Sequence, residues 1–341
     1  MKSTMFFYLS LMHLFLTLVV TFFSIATATA AGTSAEPDTL TFIHITDPHV
    51  CNLTGYHPFF IQKRQHFGNN AEPLTQFLNS IPKKYQSDFV AITGDNIDYY
   101  EAQTEKGGML DTQIEQYTRL LDASNVPVFL TLGNHDIASY FVSPVLAYTN
   151  NQFNSEQARA AWMRNAPCFK DGTYYSRVFK IDTTTFRFIF LDNGYNPTKE
   201  LTGETLPFLI DQSQLLWLDA QLKTSTSDVE IIFMHKPLSY SKPADKSILT
   251  ESLSIYSSKS KSYNLFSVLE KNSSTRLLFV GHNHDNIINN YILPNGNKLT
   301  QVMTGAFGYN HNDWRMIKLT NNNIIIYSSG SSEIEYIIPI R

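Results

Sequence analysis

The chain has 341 residues, 43% of them hydrophobic and 16% charged, which is enough for one large domain with a substantial buried core. A formal net charge of -4 excludes the broad basic field of a nucleic-acid-binding protein, so no nucleic-acid partner is indicated. With Cys51 and Cys168 as the only cysteines, a zinc site built on thiolates is excluded, and any transition metal must be held by His, Asn and carboxylates.

The N-terminus reads as an export signal. Lys2 supplies positive charge, residues 5–25 are almost unbroken apolar sequence, and Ala26, Ala28, Ala30 and Ala31 offer small residues for cleavage. The expected division is a signal peptide over 1–30 and one domain over 31–341, secreted or periplasmic. Cleavage would take the net charge from -4 to -5, because residues 1–30 hold Lys2 and no acid. An uncleaved anchor is the competing reading, since the apolar run approaches the roughly 20 residues that span a bilayer. No later segment is long and apolar enough to span. In an oxidising compartment Cys51 and Cys168 could pair, which their spacing leaves open.

After the signal, apolar runs at 40–46, 89–93 and 126–132 read as buried strands, with helices between them near 71–80 and 111–123. Segments near 173–181 and 185–191 read as a hairpin turning at 182–185. Residues 211–222 place Leu215, Leu218 and Leu222 on one helical stripe beside Trp217. Strands follow at 230–234 and 276–280. The last sixty residues look all-β, with Asn-rich turns, and imply a second sheet or an extension behind the first. The abundance of Phe, Tyr and Ile also favours β structure. Strands alternating with helices imply a sheet covered on its faces.

Polar clusters sit where these strands end. They are Thr46-Asp47-Pro48-His49, Gly94-Asp95-Asn96, Gly133-Asn134-His135-Asp136, His235-Lys236-Pro237 and Gly281-His282-Asn283-His284. Ligands bind at the carboxyl ends of strands in open α/β sheets, so the five can converge. Asp-x-His or Gly-Asp alone fits an ordinary turn. Gly281-His282-Asn283-His284 is the most specific fragment, because one tight turn presents two imidazoles.

The ordered set Asp47-x-His49, Gly94-Asp95, Gly133-Asn134-His135-Asp136, His235 and Gly281-His282-x-His284 resembles the calcineurin-like metallophosphoesterase family. Residues 211–222 resemble the helix before the fourth motif in its purple-acid-phosphatase-like and acid-sphingomyelinase-like branches. The resemblance implies an α/β (α+β) fold, a four-layer sandwich of two facing mixed β-sheets flanked by helices. It implies two ions, Zn, Mn or Fe. Asp47, His49 and His284 hold one, Asn134, His235 and His282 hold the other, and Asp95 bridges both. It further implies hydrolysis of a small-molecule or lipid phosphate mono- or diester by a metal-bridging hydroxide, with His135 assisting the leaving group. Asp136 would hold the His135 ring in one tautomer.

One departure is that purple acid phosphatases place an iron-binding tyrosine three residues after the Gly-Asp aspartate, where this chain has Asp98. A tyrosinate-iron colour is therefore not expected, and Asn96 and Asp98 read as supporting or surface groups. His44, three places from Asp47, faces away from the site by the period-two rule and reads as a core residue. His57, Lys63, Arg64 and His66 read as a solvated loop, and His311 as a late-loop residue near the cleft. A phosphate-ligand-binding protein on the same fold is the non-catalytic alternative, and the filled ligand positions argue against it. The His-x-His-x-Asp-His run of metallo-β-lactamase-type hydrolases is absent.

Overall fold

In chain order, the strands of the first half are β1 (Leu40–Ile45), β2 (Phe89–Thr93), β3 (Glu101–Gln103), β4 (Met109–Leu110), β5 (Val128–Thr131), β6 (Ser139–Val142) and β7 (Tyr148–Asn151). Among them lie helices α1 (Pro58–Arg64), α2 (Ala71–Lys84), α3 (Gln113–Leu121) and α4 (Ser155–Asn165). The second half holds β8 (Tyr175–Ile181), β9 (Thr184–Phe190), α5 (Gln212–Lys223), β10 (Val229–Phe233), α6 (Leu265–Leu269), β11 (Thr275–Val280), β12 (Ile287–Ile292) and β13 (Lys298–Met303). Three further strands end the chain: β14 (Arg315–Leu319), β15 (Asn323–Tyr327) and β16 (Ile334–Pro339). This computed structural model describes residues 38–340, apart from 69, 144, 146–147, 195–209, 239–264 and 294. The expected signal peptide and its cleavage point lie outside the described residues.

Two six-stranded mixed sheets carry the fold, in the orders β16-β15-β14-β1-β2-β5 and β12-β13-β11-β10-β9-β8. The strands that end in polar clusters run parallel: β1 with β2 and β2 with β5 in one sheet, β10 with β11 in the other. Parallel strands need both faces covered, and β1, β2 and β10 are buried along their whole length. Between the sheets lies a layer of phenylalanines. Phe42 meets Phe188, Phe233 and Phe279 edge-on at 5.5–5.7 Å, and Phe89 meets Phe188 at 5.5 Å.

Alternate residues point outward and meet helices. Leu74, Phe77 and Leu78 of α2, Ile114 and Tyr117 of α3 and Trp162 of α4 join the core of the first sheet. Leu215, Leu218 and Leu222 of α5 pack with Ile189, Ile232 and Leu278 of the second, as the helical stripe predicts. Asp211 caps α5, its carboxylate accepting from Gln214 N at 2.9 Å. Asp211→Ala is expected to cost about 1 kcal/mol, measured as a lower urea midpoint with an unchanged slope.

The expected hairpin forms with a two-residue turn, Ile181 pairing with Thr184. The all-β tail divides, rather than forming one separate layer. β12 and β13 extend the second sheet, while β14 pairs antiparallel with β1 and brings β15 and β16 into the first. Period-two patterning identifies strands but not partners, so this division was not readable. A four-stranded sheet, β4-β3-β6-β7, was also not foreseen, because two- to four-residue strands show no periodicity. The edge of β5 is closed by one hydroxyl: Tyr175 Oη donates to Leu130 O at 2.9 Å and accepts from Leu130 N at 3.1 Å. Cys51 and Cys168 are both free thiols.

Candidate metal centre

Each of the five polar clusters begins where a parallel strand stops, after β1, β2, β5, β10 and β11. The turns there are unusually tight. Among the described residues, seven non-glycine residues have positive φ, and Asp47, His49, Asp95, His282 and His284 are five of them. A non-glycine residue in the left-handed region costs about 1–3 kcal/mol unless its surroundings hold it. The cost is concentrated on the side chains expected to bind metal. Two glycines make the approach possible. A Cβ on Gly281 would lie 1.8 Å from Thr46 Oγ1, and one on Gly133 would lie 2.3 Å from Asp95 Oδ1. This close approach accounts for the glycine before each of these ligand turns.

The seven expected ligands converge in two adjoining groups. Ligand atoms of Asp47, His49 and His284 lie within 4.8 Å of one another, as do those of Asp95, His235 and His282. Asn134 Oδ1 lies 3.2 Å from His235 Nε2, within the second group. Asp95 joins the two, its Oδ2 being 3.2 Å from His235 Nε2 and 3.8 Å from His49 Nε2.

The donors fit a pair of cations. Asp47 Oδ2 accepts from His282 N at 2.9 Å and from the Thr46 hydroxyl at 2.6 Å. Its other oxygen, Oδ1, is buried 3.2 Å from His284 Nε2 and 3.8 Å from His49 Nε2, and the latter nitrogen is buried without a hydrogen-bond partner. Buried polar atoms are normally satisfied, and an ion held by Asp47, His49 and His284 would satisfy His49 Nε2. His235 Nδ1–H donates to Thr93 O at 2.8 Å, which turns Nε2 inward, as a ligating imidazole requires. Oxygen and imidazole donors of this kind suit Zn, Mn or Fe.

Comparison with known proteins agrees with this geometry. The calcineurin-like phosphoesterase family matches residues 40–286. The chain belongs to this family of metal-dependent phosphoester hydrolases. Among solved structures it is similar to a dimetal phosphatase from Danio rerio, with 17% identity, a TM-score of 0.56 and coverage of 90% of this chain and 100% of that one. It is similar to GAP50, the anchor in the inner membrane complex of Plasmodium, with 16% identity, a TM-score of 0.50 and 88% of each chain covered. It also resembles purple acid phosphatase PPD1 from yellow lupin seeds, with 12% identity, a TM-score of 0.51 and 89% of this chain against 54% of that one. At such identities the likeness concerns the fold. Among curated proteins none matches by sequence.

In this phosphoesterase charged neighbours outweigh burial at the two ligand carboxylates. Burial pushes the Asp47 carboxyl up, but the charge of His235 and the hydrogen bond from His284 outweigh it and hold it at about 2. Asp95 is likewise held well below the carboxylate range, because His235 and His135 outweigh burial. Both acids are anionic at any ordinary pH. Beside His235, the buried Lys236 ammonium is pushed down to about 7 by burial, against the opposing pull of Asp95 and Asp192.

His135 lies at the rim of the site, its ring 4.8 Å from that of His49. Its backbone N donates to Asp95 Oδ1 at 2.8 Å. The expectation that Asp136 orients this ring is corrected here. The Asp136 carboxylate turns away and accepts from Gly133 N at 2.7 Å, Ile97 N at 3.0 Å and Asn96 Nδ2 at 2.9 Å. Burial and Asp95 raise its pKa to about 8. Asp136 therefore ties two ligand turns together. The His135 tautomer is set instead by the Asp98 carbonyl, 2.8 Å from Nδ1, with the Tyr140 hydroxyl at 3.0 Å.

Asp98 is buried, not a surface group. Its Oδ1 lies 3.2 Å from His49 Nδ1, and Arg64 Nε donates to its Oδ2 at 2.6 Å. Arg64 thus leaves the solvated loop in which the sequence placed it, with its guanidinium over the Phe67 ring. His57 caps α1 by accepting from Phe59 N, and His311 Nε2 lies 3.2 Å from Asn70 Oδ1. Asn193 was missed. Its Oδ1 accepts from His235 N and Lys236 N at 2.9 and 3.0 Å, fixing the fourth ligand turn. The signal was present, since Asp192-Asn193-Gly194 follows a buried strand in the same manner as the other clusters.

Proposed function

We propose that this chain is an exported hydrolase of phosphate monoesters or diesters. It would hold one ion with Asp47, His49 and His284 and a second with Asn134, His235 and His282, with Asp95 between them. The observation that carries this reading is the meeting of two ligand groups, Asp47, His49 and His284 beside Asp95, His235 and His282, with Asp95 Oδ2 near both. When bound, two such ions supply an activated water and neutralise charge on the phosphoryl oxygens.

The chain's own residues do the rest. Asp47 and Asp95 provide fixed negative charge to retain the ions, and Thr93 and Asn193 hold the His235 ring and backbone. With Nδ1–H directed at the Asp98 carbonyl, His135 has Nε2 as its proton-exchanging atom, and we assign it the leaving-group oxygen. Burial lowers its pKa, so the protonated ring is a stronger acid but is less populated near neutral pH, and turnover that needs a proton on Nε2 should fall as pH rises. His135→Ala should lower turnover by about 10²–10⁴-fold while both ions are retained. Metal analysis finding an ion lost would argue against the acid-base role.

One assay series tests the whole reading. It compares an aryl phosphate monoester with a bis-aryl diester after reloading with Mn, Zn or Fe, and absence of hydrolysis with every metal would sink it. Export is supported by Lys2, the apolar run and the alanines that follow. No helix among the described residues is long and apolar enough to cross a membrane. N-terminal sequencing of exported protein should find a chain beginning near residue 31, and one beginning at residue 1 would favour an anchor.

A further inference from the structure

Two aromatic rings outside the ligand set stand exposed beside the His49–His284 half of the centre. Tyr309 is 59% exposed, yet its ring centroid is 5.0 Å from that of His284. His66, also exposed, lies nearly parallel to it, with centroids 5.9 Å apart and planes 17° apart. Buried Phe67 supports both rings from behind, at 5.0 Å from Tyr309 and 4.1 Å from His66, and stacks on His49 at 4.5 Å.

The backbone that leads into Tyr309 is tied to the first ligand turn. Phe307 N donates to Thr46 O and Gly308 N to Asp47 O, each at 3.0 Å. Asn70 Nδ2 bonds both Pro48 O and Gly308 O. A Cβ on Gly308 would lie 2.8 Å from Pro48 O, so only glycine lets the loop approach so closely. A tyrosine on a mobile loop would need no explanation, because single exposed apolar residues are common. Here the loop is fixed, and a rigid, wet aromatic face is kept within reach of the reacting atoms.

We propose that Tyr309 and His66 form a ledge that receives a planar aromatic part of the substrate, an aryl leaving group or a nucleobase, while its phosphoryl end occupies the metal centre. This rests on the phosphoesterase reading and adds the substrate class to it. Stacking of this kind is worth about tenfold in affinity per ring pair. Aliphatic and glycerol-type esters would gain little from it.

The test uses ligand pairs with one phosphoryl end and different tails, so that leaving-group acidity plays no part. Calorimetry on metal-loaded full-length protein would compare phenylphosphonate with methylphosphonate, and adenosine 5'-monophosphate with ribose 5-phosphate under non-turnover conditions. The ring-bearing member of at least one pair should bind roughly tenfold tighter, and which pair shows it separates an aryl group from a nucleobase. Tyr309→Ala should abolish that ratio, and Tyr309→Phe should restore it. Equal binding of ring and non-ring ligands in the wild type would overturn the ledge. So would a Tyr309→Ala protein that loses metal and weakens all four ligands alike, because the ring would then be a prop for His284. If a wild type that hydrolyses phosphate esters shows no ring preference, the ledge alone falls. If it hydrolyses none with any metal, the phosphoesterase reading falls with it.

Discussion

Asp95→Asn is expected to reduce metal-dependent hydrolysis by at least about a thousandfold, the scale seen when a group acting directly on transition-state charge is removed. The substitution is nearly isosteric and keeps one existing contact, since the amide oxygen can still accept from His135 N, now 2.8 Å from Oδ1. What changes is Oδ2, the atom that lies between His235 Nε2 and His49 Nε2 and joins the two ligand groups. An amide NH₂ there directs hydrogens at two imidazoles and removes the negative charge that offsets repulsion between two cations. Asp95 is held anionic throughout the assay range, so the wild type never samples the neutral state that the variant imposes. Metal analysis should find less than two ions per chain, and circular dichroism should find the fold intact. Wild-type turnover with two ions still bound would overturn the bridging role assigned to Asp95.

How much of this was legible follows from the physics of each element. Buried strands leave apolar runs, so β1, β2, β5, β10 and β11 were found to within a few residues. Each polar cluster after them fitted a turn when taken alone, but five in order pointed to one site, and the five clusters do meet. The left-handed backbone at Asp47, His49, Asp95, His282 and His284 was not legible, since nothing in their side chains demands it. The Gly-Asp and Gly-His pairs hinted at close approach without saying what approached. Support for the ligands was misread for a similar reason. Asp136 follows His135 in sequence and was paired with it, whereas the ring is held by a main-chain carbonyl at Asp98, 37 residues away. Backbone acceptors leave no signature in a sequence. Arg64 looked like loop charge because its partner, Asp98, lies on another segment. The reading of His44 as a core residue was better founded, because strand alternation is local, and His44 is fully buried with its ring 4.9 Å from that of Phe279.

That buried imidazole should make the fold sensitive to acid through a group that is not a metal ligand. His44 Nδ1 lies 2.8 Å from Thr304 Oγ1 and Nε2 lies 2.8 Å from Thr93 Oγ1, so both nitrogens are satisfied by hydroxyls. Burial, reinforced by the Arg315 charge and only partly opposed by Asp47, lowers its pKa from 6.5 to about 3. The unfolded chain takes up a proton here as pH falls through 6.5, and the folded chain does so only near 3. The contribution is therefore complete above pH 6.5 and is lost on the way down to about 3. The slope is about 1.4 kcal/mol per pH unit, reaching roughly 5 kcal/mol in total. His44→Gln keeps a hydrogen-bonding side chain without a titrating ring. Urea unfolding of metal-free wild type and variant between pH 7 and 4 should give a steeper loss in the wild type by about this slope. Subtracting the two curves cancels the carboxylates and ligand histidines that both proteins share. Parallel curves would mean that His44 is protonated in the fold. The threonine hydroxyls would then have to accept from the ring, and Thr93, whose carbonyl orients His235, would be held by a cation rather than by a neutral ring.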